Sequence, residues 1–170
     1  MKIALIGFMG SGKTTISKGL SNKMGYTFLD MDSIIETEMK LSVTQIFESY
    51  GEIGFRDIET KTLKNSINQD NIVIATGGGI VKKEENRKLL KDACISIYLK
   101  ATEEQIYKNT ENDTTRPLLN VPNKMEVIEK MMSERRPLYE KTADIVIDVT
   151  NRCVDDIVNE ILEILNKRRI

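Results

Sequence analysis

Short apolar runs recur along this chain, and stretches with helical periodicity separate them. Lys2-Ile3-Ala4-Leu5-Ile6 is nearly continuous in apolar residues, as a strand buried on both faces of a parallel sheet should be. Similar runs at 27–29, 72–75, 95–99 and 145–149 predict four more short strands. Between them the spacing predicts helices at 13–23, 33–39, 44–50, 52–66, 83–91, 103–110 and 124–141. The last predicted helix, 154–169, has the clearest apolar stripe: Val154, Ile157, Val158, Ile161, Leu162 and Leu165. Strands alternating with helices predict right-handed βαβ units and an α/β fold whose parallel sheet is covered on both faces. In such a sheet ligands lie at the carboxyl ends of the strands, so the residues just after each strand are the first candidates for a site.

A chain of 170 residues is expected to form one domain with a substantial core, and no repeat, low-complexity tract or linker divides it. One segment stands apart. Residues 111–124 are polar and hold two of the three prolines, and they read as a mobile loop carrying Arg116-Pro117-Leu118-Leu119. Beside a ligand site such a loop is expected to be a lid. Charge is balanced, with 25 Lys and Arg against 26 Asp and Glu, a formal net charge of −1. Neither nucleic acid nor an anionic membrane is therefore expected as partner, and local basic clusters call for a small anionic ligand. No apolar run approaches the roughly 18 residues of a membrane span. The first strand pattern begins at Lys2, so no signal peptide is expected and the expected location is the cytoplasm. Cys94 and Cys153 are far apart, fit no metal spacing, and read as two reduced thiols. The chain has no histidine, which removes histidine bases and histidine metal sites.

The strongest chemical signal is Gly7-Phe8-Met9-Gly10-Ser11-Gly12-Lys13-Thr14-Thr15, which fits G-x-x-x-x-G-K-[ST] between a predicted strand and a predicted helix. The glycines let the backbone turn so that N–H groups converge on a phosphate, and the helix N-terminus adds partial positive charge. Lys13 can reach the β- and γ-phosphates, and the Thr14 hydroxyl can ligate Mg²⁺. After the second strand come Asp30 and Asp32. One could hold Mg²⁺ through water and the other orient or deprotonate an acceptor hydroxyl; alternatively Asp32 or Ser33 only caps the next helix. Arg56 follows a glycine-rich turn and could pair with a substrate carboxylate, with Glu59 fixing its guanidinium. The plainer alternative is a solvated i,i+3 ion pair. Gly77-Gly78-Gly79, after the third strand, permits close approach of backbone to ligand. Arg116 in the lid is placed to close over phosphates. Arg135-Arg136 lies near the end of a helix; for Arg136 a solvated position is expected. Arg152 follows the fifth strand, in a loop expected to border the nucleotide base.

A GTPase would show N-K-x-D, and the nearest match, Asn123-Lys124-Met125-Glu126, has the wrong acid and follows no predicted strand. Size and charge pattern point instead to a small-molecule kinase. In this order and spacing, the phosphate loop, Asp30-Met31-Asp32, Gly51-Glu52 with Phe55-Arg56 and Glu59, the triple glycine, Arg116-Pro117-Leu118-Leu119 and Arg135 with Pro137-Leu138-Tyr139 resemble the shikimate kinases over essentially the whole chain. The resemblance implies a P-loop fold of the nucleoside monophosphate kinase class. It has a five-stranded parallel sheet in three α/β/α layers, a substrate-binding segment at 31–62 and a lid at 111–124. It also implies Mg²⁺-dependent transfer of the γ-phosphoryl group of ATP to the 3-hydroxyl of shikimate. By motif, Gly10, Ser11, Gly12, Lys13, Thr14 and Thr15 would bind the phosphates, with Arg116 closing from the lid and Arg152 beside the nucleotide. Thr14 would hold the metal, supported by Asp30 through water. Asp32 would hold the shikimate hydroxyls as candidate base, Arg56 and Arg135 would clamp the carboxylate, and the Gly78 backbone would contact the ring. Lys13, Asp32 and Arg116 are thus the expected catalytic set. Where family members often carry an arginine that packs on adenine, this chain has Asn109. A gluconate kinase is disfavoured by the triple glycine and the lid motif, and a silent binding module by the retention of Lys13, Asp32 and Arg116. A monomer is expected, since no surface stripe is left over once the core helices are assigned.

Overall fold

The computed structural model describes residues 1–168; Arg169, where the last predicted helix was expected to end, lies outside the described residues. Five strands form one parallel sheet: β1 (Lys2–Ile6), β2 (Thr27–Asp30), β3 (Ile72–Ala75), β4 (Ile95–Lys100) and β5 (Ile145–Asp148), in the order β2-β3-β1-β4-β5. The interior strand β3 is buried at every residue, which is why its sequence is uniformly apolar. At the edge, β5 alternates, with Ile145 and Ile147 buried and Val146 and Asp148 exposed.

The helices are α1 (Lys13–Met24), α2 (Met31–Met39), α3 (Val43–Ser66), α4 (Glu84–Ala93), α5 (Glu103–Thr110), α6 (Lys124–Thr142) and α7 (Val154–Arg168). On α7 the predicted stripe is buried at Ile157, Val158, Ile161 and Leu165, while Val154 stays partly exposed. That stripe packs on α1, where a Cβ at Gly19 would sit 3.2 Å from a Val158 methyl. The helices predicted at 44–50 and 52–66 run together as α3, and the break between them survives as a kink at Gly51 (φ 69°, ψ 179°). A capping box starts α3: Ser42 Oγ accepts from the Gln45 N–H, and Gln45 Oε1 accepts from the Ser42 N–H. A small core of Ile35, Ile46 and Phe55 joins α2 to α3, separate from the main core on the sheet.

The chain leaves β1 toward one edge of the sheet, to β2, and leaves β3 toward the other, to β4. The carboxyl ends of β1 and β3 are neighbours. That divergence opens a crevice where a doubly wound sheet binds its ligands. The loop Gly7–Gly12 and the triple glycine flank it.

Candidate active site

Between β1 and α1, Gly7, Gly10 and Gly12 all have positive φ, at 151°, 79° and 87°. Gly12 is the N-cap of α1 and no side chain caps that end. The first N–H groups of α1 therefore stay available, and Gly10, Gly12, Lys13, Thr14 and Thr15 line a polar cavity. Lys13 is buried, and its Nζ donates to the carbonyls of Gly7 and Phe8, both at 2.8 Å. Burial, reinforced by the nearby Arg116 cation, lowers its pKa to about 7. Ser11 is buried with its Oγ unpartnered, and it faces the next cavity along the sheet rather than this one.

Thr14 Oγ1 donates to Asp30 Oδ2 at 2.7 Å, and Asp30 Oδ1 accepts from the Ser33 N–H at 3.1 Å. Asp30 is thus the N-cap of α2, so the alternative that Asp32 or Ser33 only caps this helix does not hold. This leaves the Asp32 carboxylate free to face the crevice. Among the described residues no group of three or more His, Cys, Asp or Glu could cage a metal. A hydroxyl and a carboxylate beside a phosphate cavity suit Mg²⁺, which keeps several waters and takes few protein ligands.

A second cavity, of about 230 Å³, opens beside the first. Arg56 and Arg135 reach it from α3 and α6, and both are buried, at 7% and 3% exposure. Arg56 Nη1 donates to Glu59 Oε2 at 3.0 Å, and Glu59 is 0% exposed, so this is no solvated surface pair. Burial raises the Glu59 pKa, against the pull of Arg56. Arg56 Nη2 also reaches Glu52 at 3.4 Å, and its guanidinium lies 5.3 Å from the Phe55 ring centre. Arg135 sits 5.7 Å from the Phe8 ring centre, and its Nη1 is buried without a hydrogen-bond partner. A buried, unpartnered guanidinium nitrogen is a donor suited to a ligand anion.

The triple glycine serves these side chains as well as any ligand. A Cβ at Gly77 would overlap Glu59 Oε1, and one at Gly79 would overlap the Arg56 guanidinium. Gly78 lines both cavities, and its carbonyl accepts a hydrogen bond from the Tyr139 hydroxyl.

The two cavities share Thr14, Asp30, Asp32, Gly78 and Arg116. Burial raises the Asp32 pKa, and Arg116 opposes that rise. Arg116 Nη1 lies 3.6 Å from Asp32 Oδ2, and its Nε lies 3.3 Å from Asp113 Oδ2. The segment 111–124 is the expected loop, with one 3₁₀ turn at Pro117–Leu119 whose Leu119 is fully buried. Lys124 Nζ donates to the Thr110 carbonyl and joins the two ends of this loop.

A third cavity lies past the phosphate loop, walled by Ser11, Asn109, Asn151 and Arg152 among others. Arg152 is held there by the Asp148 carbonyl at 2.9 Å and by Glu160 at 2.6 Å. Arg136, expected to be solvated, instead pairs with Glu103 at 2.5 Å and ties α6 to α5. Sequence reasoning missed Asp113 and Gln105, for which no local signal exists. Tyr139 was visible as part of a motif, although its bond to Gly78 was not.

The family model described as shikimate kinase matches residues 9–166. The chain is 40% identical to a shikimate kinase of Thermodesulfovibrio yellowstonii, over 95% of this chain and 92% of that protein. It is 42% identical to one of Nitrosococcus oceani, over 97% of this chain and 87% of the other. A solved structure, shikimate kinase from Acinetobacter baumannii in complex with shikimate, superposes with a TM-score of 0.97 at 35% identity. That superposition covers 99% of this chain and 94% of that one. With a phosphate loop beside an arginine-lined cavity, and near full-length likeness to these proteins, this chain belongs to the shikimate kinase family.

Proposed function

We propose that this ATP-dependent kinase transfers the γ-phosphoryl group of ATP to the 3-hydroxyl of shikimate, with each cavity holding one substrate. The observation that carries this assignment of roles is the wall the cavities share, where Asp32 and Arg116 meet. Lys13 and the amides of Gly12, Thr14 and Thr15 take the phosphates. Shikimate is an anionic triol. Its carboxylate suits the Arg56 and Arg135 guanidiniums, and its hydroxyls suit Asp32 and the Gly78 backbone. Thr14, with Asp30 acting through water, would hold Mg²⁺, which would supply charge neutralisation at the phosphates. Asp32 accepts or orients the proton of the attacking hydroxyl, which needs its carboxylate form. Arg116 turns from Asp32 to the transferring phosphoryl and spreads its negative charge. Arg152 and Asn109 border the nucleobase side. The protein acts as a cytoplasmic monomer on these small molecules, without nucleic acid or membrane as partner.

Two substitutions separate the roles. Arg116→Ala lowers kcat on the order of a thousandfold while leaving shikimate binding near the parent value. Arg56→Ala chiefly raises KM for shikimate. Unchanged kcat in the first, or lost ATP affinity with intact shikimate affinity in the second, would overturn the assignment. The site of phosphorylation is read by NMR, where coupling of phosphorus to the proton on carbon 3 is expected.

A further inference from the structure

Asn109 lies in the last turn of α5, at the rim between the phosphate cavity and the third cavity. Its Nδ2 donates to the carbonyl of Gly10 at 2.8 Å. Its Oδ1 accepts from Gln105 Nε2, one turn back, at 2.9 Å. Gln105 Oε1 in turn accepts from the Asn151 N–H, in the turn between β5 and α7, at 3.1 Å. Three hydrogen bonds thus run from the base-side loop to the phosphate loop. The direction of this relay is dictated at both ends. A backbone N–H can only donate and a carbonyl can only accept, so each amide side chain has one orientation that completes the chain.

The relay lands on a particular peptide. The Gly10 carbonyl is held by Asn109, and the N–H of the same peptide, that of Ser11, donates to the Phe8 carbonyl at 3.2 Å. Both polar ends of this peptide plane are therefore fixed, immediately before the amides that line the phosphate cavity. Contact with α5 is close: a Cβ at Gly10 would lie 2.6 Å from Thr110 Cγ2 and 3.6 Å from Asn109 Cβ. With φ at 79°, Gly10 could carry that Cβ only under strain.

We propose that Gln105 and Asn109 are positioning residues for the phosphate loop, which lock its shape before nucleotide arrives and join it to the base-side loop. This rests on the reading of the first cavity as the site of ATP phosphates. In this chain the position where a base-stacking cation is expected carries an amide that is spent on the loop backbone. What Asn109 contributes to nucleotide affinity then runs through the phosphate loop and is the same for every base.

The test measures MgADP and MgGDP binding by calorimetry, and kcat and KM for MgATP and MgGTP at saturating shikimate, in the parent, Asn109→Ala, Asn109→Asp and Gln105→Ala. Loss of one positioning bond predicts a roughly three- to tenfold weakening in Asn109→Ala, the same factor for adenine and guanine nucleotides, with KM for shikimate unchanged. Asn109→Asp keeps the shape but cannot donate to the Gly10 carbonyl and adds negative charge beside the phosphates, so it weakens binding further. Gln105→Ala, which leaves Asn109 in place, shows a smaller loss of the same pattern. Unaltered nucleotide binding in Asn109→Ala overturns the proposal, and so does a loss confined to adenine nucleotides, which would make Asn109 a base contact. Absence of shikimate-dependent turnover in the parent would count against the kinase reading alone, because the binding arm still reads the relay.

Discussion

Gly79→Ala probes the proposed carboxylate clamp without touching a charge or a predicted substrate contact. Gly79 has φ −98° and ψ 9°, which alanine adopts without a left-handed backbone. Its methyl group, however, would overlap Cζ, Nη1 and Nη2 of Arg56. Comfortable contact is about 3.5 Å, so the guanidinium must move by at least about 1 Å. Its present position is set by Glu59 at 3.0 Å and by the Phe55 ring. A shift of that size takes a charge-assisted hydrogen bond to the shikimate carboxylate out of range, which costs about 1.5–3 kcal/mol. KM for shikimate should then rise on the order of 10- to 100-fold. Because the carboxylate lies away from the reacting hydroxyl, kcat should change much less, and KM for MgATP should stay the same. A coupled assay of ADP release gives all three constants, and a thermal melt confirms that the variant is folded. A folded Gly79→Ala enzyme with KM for shikimate within about twofold of the parent would refute the claim that this glycine exists to seat Arg56.

Asp32 must be ionised to orient or accept a proton, and burial raises its pKa. Activity should therefore fall as pH drops through a value above the ordinary aspartate range near 3.9; a profile of kcat/KM for shikimate that is flat down to about pH 4 contradicts this. Lys13, at about 7 in the free protein, is largely neutral at pH 8, and phosphate binding restores its charge. MgADP binding at pH 8 should take up close to one proton, read by calorimetry in buffers of different ionisation enthalpy, and uptake should vanish near pH 5. Glu59→Gln keeps the shape but removes the charge that holds Arg56, so KM for shikimate should rise by about tenfold. An unchanged KM in that variant would make the buried pair purely structural.

Much of the fold is legible in the chain because parallel strands buried on both faces leave continuous apolar runs, as in Lys2–Ile6 and Ile72–Ala75. The phosphate loop is legible because its backbone geometry needs glycine at fixed positions, and the positive φ of Gly7, Gly10 and Gly12 bears this out. Strand order was not readable from residue pattern alone, since an apolar run carries no mark of its neighbour. Burial also hid from view. Arg56 and Glu59 have the spacing of an ordinary surface pair, and only the packing of α3 against the triple glycine makes them a buried one. One of the two carboxylate partners of Arg116 was hidden too, because Asp113 lies within a polar loop that offers no periodicity. The helix cap fell on Asp30 rather than Asp32 or Ser33 because Asp30 at the end of β2 still has extended backbone, which a cap requires. Asn109 was visible as a departure from the arginine that the resemblance implied, but its bond to Gly10 spans 99 residues and belongs to tertiary structure.

The most direct test of the central claim is ADP release from MgATP with shikimate, with gluconate and with no acceptor, using the unmodified protein. Turnover that depends on shikimate, with gluconate no better than buffer, is the predicted result. Equal release with all three, or release that follows gluconate, would contradict the assignment of the arginine-lined cavity to shikimate.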